Sequence, residues 1–134
     1  DFEPTIWKPR AGMSLKQVWF SGVHCNVGGS YPADADGGLL SDIPMQWMAK
    51  QARAEGLQIE THLATNLNPS ATAKLHQSRK HIFRSKRPFY RPIDHGGEVL
   101  IHRSVKQRWQ ADAKYRPKNL QKYLQAQDWP QLVD

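Results

Sequence analysis

Hydrophobic and polar positions change period along this chain. Val18-Trp19-Phe20 is a continuous apolar run at the end of Leu15–Phe20. It predicts a strand buried on both faces, because a half-solvated strand would alternate. Further on, Ile43, Trp47, Met48 and Ala52 recur at helical spacing, which predicts a helix over about 42–55. Ser41 is a good N-cap, and Asp42 complements the positive end of the helix dipole. Pro44 falls within the tolerant first turn, and Gly56 supplies the stop. Val105 and Trp109 share a face of a second helix, starting near His102–Ser104 and ending near Ala113. A short helical turn follows around 119–126, and Leu57-Gln58-Ile59 reads as a short strand or docking segment.

Between these elements the chain is punctuated. Residues 1–14 form an irregular lead-in with Pro4, Pro9 and Gly12, anchored by Ile6-Trp7. Residues 21–40 read as a glycine- and aspartate-rich loop. Residues 62–98 are loop-like, broken by Asn68-Pro69, Arg87-Pro88, Arg91-Pro92 and Gly96-Gly97. No internal repeat or low-complexity block interrupts the sequence.

The 134 residues suit one domain or a piece of one, and 39% hydrophobic content makes for a lean core. Asp1 in place of methionine reads as a cut or processed start. A single cysteine excludes an intramolecular disulfide and a multi-thiolate zinc site. No run of about 18 apolar residues is present, and no signal-peptide pattern opens the chain. The net charge of +7 is uneven. Residues 1–60 carry five Lys and Arg against seven Asp and Glu, a balance of −2. Residues 61–134 carry fourteen against five, a balance of +9. Such a basic half suits an anionic partner: phospholipid head groups, nucleic acid or an acidic protein surface. A merely solvated basic surface explains it as well.

The candidate chemistry lies just after the first strand, in Trp19-Phe20-Ser21-Gly22-Val23-His24-Cys25-Asn26-Val27-Gly28-Gly29-Ser30-Tyr31. A buried strand running into a histidine on a glycine-rich turn, with a helix to follow, is how an α/β enzyme presents a general base at the carboxyl end of its sheet. Histidine suits the task because its pKa lies near the working pH. Gly28 and Gly29 are expected to let the turn take positive φ, and Asn26 to fix it through backbone amides. On these grounds alone, His24 as a surface or satisfied core residue remains the plainer reading.

The same string closely resembles the histidine segment of a lipase-like α/β-hydrolase family, best known from the phospholipase effectors of bacterial type VI secretion (the first lipase effector family). Members look like a strand ending in Trp-Phe, then Gly-Val-His, Ser-Asp or Ser-Asn, and Val-Gly-Gly-Gly-Tyr. A second likeness is Leu40-Ser41-Asp42-Ile43-Pro44-Met45-Gln46-Trp47-Met48. A third is His102-Arg103-Ser104-Val105-Lys106-Gln107-Arg108 with Tyr115-Arg116-Pro117-Lys118-Asn119-Leu120. The resemblance implies the carboxyl-terminal portion of an α/β-hydrolase fold: a late strand, a histidine loop, a helix, and a loop-rich basic tail with short helices. It implies one partial catalytic domain over 1–134, with a strand–loop–helix unit in 1–60 and a basic extension in 61–134. It makes His24 the triad histidine, shaped by Asn26, Gly28 and Gly29, acting on a lipid ester without cofactor or metal. It further implies delivery from the bacterial cytoplasm into a target cell, with a secretion-apparatus or immunity protein as partner. Cys25 stands where the family has serine, and Ser30 replaces the third glycine. The serine is awkward only if its position needs positive φ.

A nucleophile elbow, Gly-x-Ser-x-Gly, is absent. The chain alone is therefore expected to be inactive, with the nucleophile and acid on preceding sequence. Cys25 abuts His24, but adjacent side chains on an extended segment point apart. Asp34, Asp36 and Asp42 could ligate calcium, although an Asx turn and helix N-terminal charge explain them better. His62, His76, His81, His95 and His102 show no paired ligand spacing and read as surface residues. Arg79, Lys80, Arg84, Lys86, Arg87 and Arg91, interleaved with Phe83, Phe89 and Tyr90, suit an anionic surface. The plainer reading has those aromatics anchoring a loop. A stand-alone basic module binding nucleic acid or an acidic protein is the alternative from another class. It leaves the Gly-Val-His-x-Asn-Val-Gly-Gly turn unexplained.

Overall fold

The computed structural model describes residues 6–78, 89–94 and 98–134. Three short strands form a parallel sheet in the order β1-β2-β3: β1 Val18–Trp19, β2 Leu100–His102 and β3 Gln131–Val133. Val18 pairs with Leu100 and Trp19 with Ile101, while Ile101 pairs with Leu132 and His102 with Val133. Parallel neighbours need crossover connections, and the chain supplies helical ones. The first carries α1 (His24–Gly28), α2 (Asp42–Ala54) and α3 (Thr61–Thr65); the second carries α4 (Arg103–Ala111) and α5 (Lys118–Ala126). This is an α/β arrangement, and both halves of the sequence contribute strands to the sheet.

The helix over Asp42–Ala54 lies where apolar spacing places it, with Ile43, Pro44 and Trp47 buried. Ser41 occupies the cap position without a side-chain cap bond. Asp42 is anchored instead by the Asn68 N–H, which donates to its Oδ2 at 2.7 Å. The two carboxyl-terminal helices also fall where expected. Other expectations require correction. The first strand is confined to Val18–Trp19 and is half-buried rather than buried on both faces, since only β2 pairs with it among the described residues. Leu57–Ile59 forms no strand, and Leu57 is exposed. Trp7 is exposed too; its backbone does the anchoring, exchanging hydrogen bonds with the Gln17 amide at 3.0 Å each.

Two apolar clusters hold the elements together. One packs Ile93, Ile101, Val105, Tyr115 and Leu120 between the sheet and α4 and α5, with Trp19, Trp109 and Trp129 around it. The other joins Leu40, Ile43 and Ala73, with Phe20 against it. Leu75 touches both.

Candidate active site at the carboxyl end of the sheet

A parallel sheet brings the carboxyl ends of its strands to one edge, and the candidate residues His24 and His102 lie at or just beyond that edge. Just beyond β1, Ser21 is buried and Gly22 turns with φ of +110°. A side chain at Gly22 would put its Cβ 2.4 Å from Asn26 Cβ. That close approach lets Asn26 bury itself under the turn, where its Oδ1 accepts from the Val23 N–H at 3.2 Å. The Asn26 and Val27 amides in turn donate to the Val23 carbonyl at 2.8 and 3.2 Å. The segment expected to be a loop is thus wound into α1, and His24 is its first residue. The imidazole is exposed and hydrogen-bonded to no other described residue.

Asn26 thus accepts from a neighbouring backbone amide. The glycines divide differently. Gly29 has φ of +91°, whereas Gly28 lies inside α1 without positive φ. Ser30 does take the awkward conformation, at φ +94°. Cys25 is half-buried and lines a recess of about 10 Å³, which admits no substrate. The carboxylates of Asp34, Asp36 and Asp42 are all engaged by backbone amides. Besides Asp42, Asp34 Oδ2 accepts from the Lys74 N–H at 2.7 Å and Asp36 Oδ1 from the Gly38 N–H at 2.9 Å. The Asp36 bond is the Asx turn expected there.

His102 is the residue that sequence reasoning placed wrongly. It is no surface histidine but the last residue of β2 and the N-cap of α4. The Ser104 N–H donates to its Nδ1 at 3.2 Å, and Ser104 Oγ lies 2.8 Å from the same nitrogen. Its ring stacks on Phe20, with centroids 4.9 Å apart, and Phe20 meets Trp47 edge-on at 5.9 Å. Burial lowers the His102 pKa; Asp134 opposes this, while Arg103 and Lys50 add to it. The legible signal was His102-x-Ser104 at a helix start, where a polar acceptor is needed. His76 is likewise half-buried, with its ring stacked on Tyr31 at 4.0 Å.

Arg79, Lys80, Arg84, Lys86 and Arg87 lie outside the described residues, as do Phe83, His81 and His95. Arg91 is exposed, and its carbonyl accepts from the Asn119 amide at 3.1 Å. Phe89 and Tyr90 are exposed rather than buried as anchors. Several described cations lie over rings of the same chain: Arg116 over Trp109 at 4.1 Å, Lys118 over Tyr90 at 5.3 Å and Lys106 over Trp129 at 5.5 Å. Part of the basic–aromatic interleaving is therefore internal packing.

Residues 1–51 match the family described as T6SS, phospholipase effector Tle1-like, catalytic domain. The match covers 51 of the 134 residues, and over that stretch the chain is similar to that family. The match takes in β1, the Gly22–Ser30 turn with His24, and most of α2. It ends before His102–Arg108 and Tyr115–Leu120. No curated protein and no solved structure matches the chain. Among the described residues no helix is long and apolar enough to cross a membrane.

Proposed function

We propose that this chain is the histidine-bearing part of an α/β-hydrolase catalytic domain in a phospholipase effector delivered by type VI secretion. The observation that carries the reading is the position of His24, one turn beyond a parallel strand and inside the Tle1-like stretch. Acyl transfer needs a nucleophile, a base beside it and donors for the oxyanion. His24 is the base: it takes the proton from a serine hydroxyl as that oxygen attacks the ester carbonyl, then returns it to the leaving alcohol. Asn26 holds the turn that carries the imidazole, and Gly22 permits Asn26 to sit there.

Gly-x-Ser-x-Gly is absent from these 134 residues, so the nucleophile comes from polypeptide outside them. By themselves they do not hydrolyse esters. The substrate is a phospholipid ester, with the basic second half facing its anionic surface. The test uses the protein that carries this chain together with its nucleophile. There His24→Ala lowers phospholipid hydrolysis by about 10³-fold or more, with an unchanged circular dichroism spectrum. Turnover near the parent's with that variant would end the assignment.

A further inference from the structure

At the same carboxyl edge, beneath β2 and β3, a groove of about 540 Å³ runs between α2, α3 and the sheet. Its wall is mostly apolar: Met45, Trp47, Ile59 and Leu63 line it. Met45 and Leu63 are each close to half exposed, an unusual cost for large apolar side chains flanking a concave surface. Its lining carries two cations and one carboxylate. Lys50 and Arg53 line it, and neither forms an ion pair among the described residues. Among the described residues Lys50 Nζ donates to the main-chain oxygen of Asp134, at 3.3 Å. The acidic group there, the Asp134 carboxylate, is already held by Arg103 Nε at 2.7 Å.

A groove of this volume, mostly apolar and lined by two cations that no described carboxylate pairs, suits an amphiphile with an anionic head. We infer that it binds a single-chain fatty-acid anion, with the hydrocarbon along Met45, Trp47 and Leu63 and the carboxylate at Lys50 and Arg53. The chain length of the hydrocarbon is set by the groove, whereas the head is chosen by charge. This site stands on its own lining and not on the role of His24. Were His24 the catalytic base, a released acyl chain would have a place at the same edge of the sheet.

Calorimetric titration of the full chain with laurate, kept below its micelle-forming concentration, tests the inference. One equivalent binds saturably, and dodecyltrimethylammonium, with the same chain and the opposite charge, binds at least about tenfold more weakly. Lys50→Ala with Arg53→Ala removes that preference. Met45→Asp with Leu63→Asp, both at half-exposed positions that leave the core intact, abolishes laurate binding. His24→Ala binds laurate as the parent does, which separates this site from the catalytic proposal. Absence of saturable laurate binding would overturn the inference, as expected if another polypeptide segment fills the groove. Equal binding of the two head groups would overturn it too, as would undiminished binding to the Met45/Leu63 variant.

Discussion

Among the described residues, Ser30 is alone in holding a side chain at positive φ, at +94°. A non-glycine residue in that region costs on the order of 1–3 kcal/mol, against which glycine loses some entropy on folding. Ser30→Gly is therefore expected to stabilise the chain by about 1 kcal/mol, read as a higher urea midpoint at constant slope. An unchanged or lower midpoint would mean that the serine is not strained. His102 supports a second expectation. Its Nδ1 accepts from a helix-capping amide, and burial depresses its pKa against the pull of Asp134. The unfolded chain then binds a proton near the ordinary histidine pKa of about 6.5 that the folded chain refuses. Above that pH the term vanishes; below it, stability falls until the lowered folded pKa is passed. His102→Asn keeps a capping acceptor and removes the titration. The variant should lose less stability than the parent between about pH 6.5 and pH 5, measured by urea unfolding. Parallel pH profiles would assign the slope to the other histidines.

At the scale of elements, the His24 turn depends on Gly22, whose φ is +110°. Gly22→Ala sets a Cβ 2.4 Å from Asn26 Cβ at φ +110°, whereas at Gly28 a Cβ meets nothing within 4 Å. Gly22→Ala should destabilise by roughly 2–3 kcal/mol and unseat Asn26. Gly28→Ala should be neutral or slightly stabilising, because Gly28 is helical. A proton NMR comparison of the His24 ring signals checks both: Gly22→Ala shifts them and Gly28→Ala does not. The same contrast explains what was legible beforehand. The helix α2 announced itself through Ile43, Trp47 and its flanking Ser41 and Gly56, a pattern thirteen residues long. Strands β2 and β3 did not, since three residues each cannot display a period and their pairing comes from tertiary contact. The turn of α1 was hidden for a related reason. Val23, Asn26 and Val27 wind it through two backbone bonds and one side-chain-to-backbone bond in a stretch whose glycines suggest a loop. His24 was legible as a candidate base from its place after a strand, but the half-buried position of His102 was not, because it is created by Phe20 from far along the chain.

For the whole molecule, the question is whether the acidic first half and the basic second half fold as one unit. The sheet joins them through β1 and β2, and Arg108 links the two apolar clusters across the core. Its buried guanidinium, reaching from α4, donates from Nη1 to the Ala71 carbonyl at 2.8 Å and the Ala73 carbonyl at 2.6 Å. It also lies over the Tyr115 ring at 5.4 Å. Ala73 belongs to one apolar cluster and Tyr115 to the other, so a single cation spans both. Arg108 Nε has no partner among the described residues, which makes the ring and the two carbonyls the compensation for burying the charge. Arg108→Met removes the charge but leaves two carbonyls without their donor, at a net cost of roughly 3 kcal/mol. Arg108→Lys brings a point charge without the planar fork, so it recovers only part of that loss. If the halves form one cooperative unit, urea unfolding of Arg108→Met stays a single transition with a lowered midpoint and an unchanged slope. Two separated transitions would instead show that the two clusters unfold independently of one another.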